Sequence, residues 1–275
     1  MGKISKLTKA LGLIARKPYL LNLVLNNDEV WKTYVMQHYG IGNGLPVVDL
    51  DVMFPGFSAT VPVFAFLDGG SLPTDIALLI KLAEGFTDCS YFEIGTWRGE
   101  SVVNVAGVAK DCFTLNLMDE EMRRIGQSED YIGLTGFFSK GKKNIAHLKG
   151  NSKNYDFAGL NRKFDLIFID GDHHYESVKN DTEKVFTHLI HKNSVVVWHD
   201  YARNPETVRH EVLAGILDGM PKEFHENLLH AANTLSAVYT NNKYPSHPLK
   251  NPTKPKYYFS INISKRSIGA STSND

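Results

Sequence analysis

Two short stretches of this 275-residue chain carry residue types that do chemistry. In Ser90-Tyr91-Phe92-Glu93-Ile94-Gly95-Thr96-Trp97-Arg98-Gly99-Glu100-Ser101, an apolar run ends in an acid and then two glycines four apart. That order predicts a strand, a tight turn and a helix, with glycine where a ligand or neighbouring element approaches the backbone. A dinucleotide turn would read Gly-x-Gly-x-x-Gly, to let a pyrophosphate rest on the helix N-terminus. Glu93 stands where the first of those glycines would be. A carboxylate there is a poor neighbour for a pyrophosphate and a good one for a cationic, amine-bearing ligand.

The second stretch is Phe164-Asp165-Leu166-Ile167-Phe168-Ile169-Asp170-Gly171-Asp172-His173-His174, a buried-type strand tipped with acids and histidines. A helical stretch with Val178, Val185, Phe186 and Leu189 near helical spacing follows, and then a second apolar strand, Ser194 to Trp198, ends in His199-Asp200. Three acids and three histidines at the C-terminal ends of neighbouring parallel strands lie where open α/β sheets bind ligands. Buried together, such carboxylates must share a cation or a proton.

Alternating elements position these groups. A helix opens at Pro73 and runs to Gly85; strands follow over 91–94, 113–118 and 147–149, with helices over 101–109 and within 120–143. The alternation predicts an α/β fold: a Rossmann-like parallel sheet with helices on both faces. Two alternating runs, 235–240 and 257–263, are joined by a loop too rich in proline and asparagine for a crossover helix, so they are expected to close the sheet as an antiparallel hairpin. Residues 1–70 read as an N-terminal helical cap or subunit contact, with an apolar stripe of Ile4, Leu7, Leu11 and Ile14, and the tail over 266–275 is expected to be disordered.

The Glu93, Gly95, Gly99 spacing, the acid-tipped strands and the antiparallel closure together resemble class I S-adenosylmethionine-dependent methyltransferases. Within them the chain is similar to small-molecule O-methyltransferases of the catechol, caffeoyl-coenzyme A and macrolide-sugar type, over roughly residues 71–265. The resemblance implies that Gly95 and Gly99 form the cofactor turn, with Glu93, Thr96 and Ser101 in the same pocket. A side chain on Gly95 would stand between backbone and cofactor, so Gly95→Val is expected to abolish binding and leave the fold intact. The family's ribose-binding acid falls at Asn116, with Asp119 just beyond, and Gly150-Asn151-Ser152 resembles the turn that holds the adenine edge. Asp170 maps onto the first metal ligand, beside the cofactor, and His199 and Asp200 onto the other two, for Mg²⁺ or another divalent cation. His173 or His174 is then a candidate general base, a role worth ~10² to 10⁴ in rate.

The implied reaction transfers a methyl group to a hydroxyl of a small molecule: a sugar, a glycan end or a polyketide-like scaffold. Two other readings remain open, a metal-dependent hydrolase using the Asp/His cluster and a non-catalytic cofactor-binding interaction protein. Thirty basic and thirty acidic residues cancel, which argues against nucleic acid as a partner. No apolar run approaches the ~20 residues of a membrane span, the first residues lack a signal-peptide pattern, and the expectation is a cytoplasmic homo-oligomer. Cys89 and Cys112 are expected as buried small hydrophobes.

Overall fold

The structure is a computed structural model that describes residues 2–21, 27–67 and 69–268. The chain begins with helices α1 (Lys3–Arg16) and α2 (Asp28–Tyr39), strand β1 (Val47–Val48), and helices α3 (Leu50–Met53) and α4 (Pro73–Glu84). Then come β2 (Ser90–Ile94), α5 (Glu100–Val105), β3 (Asp111–Asn116), α6 (Asp119–Arg124), α7 (Glu129–Leu134) and β4 (Ile145–Lys149). The second half holds β5 (Leu166–Ile169), α8 (Tyr175–Lys184), β6 (Val195–Trp198), the small hairpin β7 (Ala202–Asn204) and β8 (Thr207–Val208), α9 (His210–Gly219), β9 (Leu228–Ala231) and β10 (Ala237–Tyr239).

Eight strands form one sheet in the order β1-β9-β10-β6-β5-β2-β3-β4. The run β6-β5-β2-β3-β4 is parallel throughout, so the C-terminal ends of its strands lie on one edge. Successive side chains point to opposite faces, and both faces are covered. Phe92, Ile94, Ile167, Ile169, Val196 and Trp198 pack with Val178 of α8 and Leu213 and Ile216 of α9. Tyr91, Cys112, Leu166, Phe168, Val195 and Val197 pack on the other face with Leu78 and Leu79 of α4 and Val102 and Val105 of α5. Cys89 and Cys112 are free, buried thiols, and burial pushes Cys89 up to about 12.

Helix α4 forms because Pro73 fits the first turn and the Asp75 carboxylate accepts the Leu72 N–H at 2.8 Å. The chain before it is tied to the sheet. Val47 and Val48 pair with His230 and Ala231, and Leu50 and Met53 enter the core. Helix α2 is held by the Asp218 carboxylate, which accepts from the hydroxyls of Tyr34, Tyr39 and Tyr175. Farther along, the side-chain amide of Asn104 accepts the Val63 N–H and donates to the Val63 carbonyl, strapping residues 58–65 across α5.

The sheet does close with an antiparallel pair, made of different residues from those expected. β10 lies antiparallel between β6 and β9, so its hairpin partner is Leu228–Ala231. Residues 257–263 are extended but unpaired, with Tyr258 92% and Ile263 69% exposed. The alternation there has no neighbour to hydrogen-bond, whereas the four-residue run 228–231 is buried on both faces and shows no alternation to read. The expected tail lies outside the described residues from 269 onward.

Candidate functional site

The site is built on three level strand ends. Asp170 donates its backbone N–H to Ile94, Gly95 donates to Leu115, and His199 donates to Ile169, at 2.8, 2.9 and 3.0 Å. This ladder carries the turn after β2, Asp170 after β5 and the His199-Asp200 pair after β6 to one edge.

The turn needs its glycines, for a reason internal to the protein. Gly95 has φ of +101°, and a β-carbon on it would lie 1.9 Å from the Asp170 carbonyl oxygen. At Gly99, φ is +79° and a β-carbon would meet the Ser139 hydroxyl at 2.2 Å. Both positions are closed by neighbouring protein atoms, which corrects the expectation that Gly95→Val would leave the fold intact. The loop around Ser139 clamps the turn further, with Gly136 and Phe138 donating to the carbonyls of Trp97 and Arg98. Trp97 itself has φ of +41° and stacks on Tyr131 with ring centroids 4.0 Å apart.

Glu93 lies beneath this turn, fully buried. Its carboxylate accepts hydroxyls from Tyr91, Ser101 and Thr114 at 2.7 to 2.8 Å. Burial pushes its pKa up to about 8 in spite of those three donors. Thr96 shares a short hydroxyl contact with Thr114, and its N–H reaches Asn116 Oδ1 at 3.5 Å. Glu93, Thr96 and Ser101 are therefore joined in one interior network.

The other candidates spread along the same edge. Asp119 pairs with Lys149 at 2.9 Å, Asn151 accepts the Lys153 N–H, and Ser152 bonds Asp181, a buried acid whose pKa burial raises.

Asp170, His199 and Asp200 converge: one oxygen or nitrogen from each lies within 4.8 Å of the others. His199 Nδ1 is 2.9 Å from Asp170 and 3.6 Å from Asp200, and its Nε2 is 3.7 Å from Asp75. Burial alone would lower the imidazole's pKa, but the charge of Asp170, with Asp200 and Asp75, raises it well above the ordinary value. Burial likewise pushes Asp170 up against the pull of His199. Asp200 is held down to about 2, because His199, Arg209 and His173 outweigh its burial. Asp200 also has φ of +58°, a left-handed conformation that Asp tolerates better than most residues.

His173 lies at the rim, 3.9 Å from Asp200, and burial together with Arg209 lowers its pKa. His174 stacks on His173 and bonds Asp172 at 2.5 Å. A small pocket opens among Asp170, Asp172, His173, His199 and Asp200, floored by Val178 and Val212.

Sequence reasoning missed Asp75 and Arg209. Asp75 is fully buried and accepts from Leu72, Leu235 and Ser236 while facing His199. In the sequence it is an ordinary acid in the first turn of a helix, and Arg209 stands in no motif. Tyr201, which follows Asp200, is buried in the core, where its hydroxyl accepts the Leu45 N–H.

Residues 92–201 match the family model described as a methyltransferase domain. An uncharacterized protein, R132, of Acanthamoeba polyphaga mimivirus is 30% identical over 141 residues, 45% of this chain. The match spans 58% of that protein's length. Among solved structures, the S-adenosylhomocysteine-bound methyltransferase PaMTH1 of Podospora anserina is similar at 16% identity and a TM-score of 0.46, over 65% of this chain and 83% of that one. An O-methyltransferase of Bacillus cereus in complex with S-adenosylhomocysteine is similar at 16% identity and 0.44, over 78% and 100%. The segment that matches the methyltransferase-domain model begins on β2 and ends just beyond Asp200, so it contains the glycine turn and both acid-tipped strands.

Proposed function

We propose that the chain transfers a methyl group from S-adenosylmethionine to a hydroxyl of a small molecule. The observation that carries this reading is that the segment matching a methyltransferase domain ends in a compact acid and histidine rim, level with the glycine turn. The residues present fit the cofactor. Gly95 and Gly99 let the chain turn tightly at the strand edge, and Asn116, Asp119, Asn151 and Ser152 offer amide, carboxylate and hydroxyl groups along it. Glu93 supports the turn from beneath. S-adenosylmethionine supplies an electrophilic methyl group, and the protein's task is to aim the acceptor oxygen at it, where orientation is worth roughly 7 to 11 kcal/mol.

On the acceptor side, Asp170 orients the hydroxyl. His173, kept neutral near pH 7 by its lowered pKa, takes the hydroxyl proton on its ring nitrogen. One imidazole nitrogen and two carboxylates within 4.8 Å also fit a divalent cation, which would supply the charge that stabilises an ionising hydroxyl. A second, metal-free version is favoured by the setting of His199. Ringed by three carboxylates, its imidazole holds a proton where the cation would sit, and that positive charge does the same electrostatic work.

Calorimetry with S-adenosylhomocysteine and transfer of labelled methyl groups to a panel of catechols and sugars test the reading. Binding to the parent chain is expected, with Asp170→Ala losing turnover by ~10² or more while still binding cofactor. A parent chain that binds neither S-adenosylmethionine nor S-adenosylhomocysteine overturns it. Activity that survives exhaustive chelation selects the metal-free version, and activity restored only by a divalent cation selects the other.

A further inference from the structure

Helix α1 is amphipathic yet buries none of its residues. At 100° per residue, Ile4, Leu7, Leu11 and Ile14 fall within an arc of about 80°. Ile4 is 82% exposed, Leu7 60% and Leu11 58%. The basic residues Lys3, Lys6, Lys9 and Arg16 lie on one flank and the back of the helix, Ser5, Thr8, Gly12 and Ala15 on the other flank, and Lys17 follows its last turn.

The zero net charge of the chain hides a segregation. Residues 1–27 hold five basic residues and no acid, and residues 241–274 hold six and no acid. Residues 28–240 hold 29 acids against 19 basic residues, a net charge of −10. The second basic segment also exposes Tyr258, Ile261 and Ile263 beside Lys265 and Arg266.

We propose that α1 lies in the headgroup layer of an anionic lipid membrane, with its aliphatic stripe among the acyl chains and its cations against the lipid charges. Two forces act together: burial of the stripe, and attraction of the basic face to the surface. The acidic body is repelled by the same surface, so the chain docks with α1 toward the lipid and the body away from it. Nucleic acid would satisfy the lysines but leave the stripe in water. A second copy would cover the stripe but bring five cations against five. Lipid satisfies both features, and no helix among the described residues is long and apolar enough to span the bilayer.

Flotation of the full chain with vesicles of phosphatidylcholine, with and without phosphatidylserine, tests this. Binding is expected only with phosphatidylserine and is expected to weaken as salt rises. Leu7→Glu with Leu11→Glu should reduce it roughly tenfold or more, and each of Lys6→Gln and Lys9→Gln roughly fivefold. Because α1 buries nothing, these variants leave the core untouched, and unchanged thermal melts and S-adenosylhomocysteine binding verify that. Absence of binding to the phosphatidylserine vesicles overturns the proposal, as does binding that Leu7→Glu with Leu11→Glu leaves intact. A chain that ignores vesicles but dimerises through the stripe, or binds RNA through the lysines, overturns it equally.

Discussion

Glu93 and Asp170 stand at the ends of two paired strands, β2 and β5, yet the protein handles their carboxylates in opposite ways. Glu93 is sealed among three hydroxyls, with no cation beside it among the described residues, and burial favours its neutral form, up to about 8. Asp170 sits two residues nearer the edge, part-exposed, with the His199 imidazole 2.9 Å away and Asp200 and Arg209 behind it. In the interior only hydroxyls meet the carboxylate; at the rim an imidazole does, and it opposes the rise that burial causes. Only the second arrangement leaves a polar, charged surface where a ligand can meet it. A family pattern that marks both acids does not distinguish these roles.

The largest test of that contrast is Gly95→Val, because Gly95 is the junction between the two regions. Its new β-carbon would overlap the Asp170 carbonyl at 1.9 Å, in a backbone conformation that valine resists. A loss of about 4 kcal/mol or more, or failure to fold, is expected in urea melts. A variant with the parent's midpoint would show that the two strand ends separate freely.

Glu93→Gln probes the sealed acid. Its folded pKa of about 8 lies above the ordinary value of 4.5, so between those values the folded chain keeps a proton that the unfolded chain has released. The contribution is complete at low pH and is lost as pH rises through 8, at most about 5 kcal/mol. Glutamine removes that dependence, so the melting temperature of the variant should hold between pH 6 and pH 9 while the parent's falls. Parallel profiles would mean that Glu93 is ionised in the fold.

The smallest effect belongs to Asp200 at the rim, whose pKa is depressed from 3.8 to about 2. Here the sign reverses. Its stabilisation is present above 3.8 and is lost as pH falls through 2, about 2 kcal/mol in all. Asp200→Asn should therefore lower stability at pH 7 and flatten the acid limb of the profile. Denaturant melts at pH 2, 4 and 7 check both parts, and an unchanged acid limb would remove His199 and Arg209 as its electrostatic partners.

Much of the frame was legible before the structure. The parallel strands β2, β3, β5 and β6 show as short apolar runs because both faces of the sheet are covered, and the start of α4 shows as proline followed by an acid. What misled was alternation without a neighbour: residues 257–263 have the period of a strand and nothing to pair with, and 228–231 have the pairing without the period. At the site, Asp170, His199 and Asp200 were legible as acids and a histidine at strand ends. Asp75 and Arg209 were not, since Asp75 reaches the rim from a helix far away in the chain and Arg209 only through the fold-back of the β7–β8 hairpin.

By itself the sequence determined the parallel core strands and which of their ends carry acids, because periodicity, proline, glycine and charge act over a few neighbouring residues. It also held the segregation of basic ends from an acidic body, which the net charge conceals. Only the tertiary structure decided the environment of each ionisable group. Whether a carboxylate meets hydroxyls, as Glu93 does, or an imidazole, as Asp170 does, depends on which strands lie side by side. Its charge state follows from burial and partners that arrive from far along the chain.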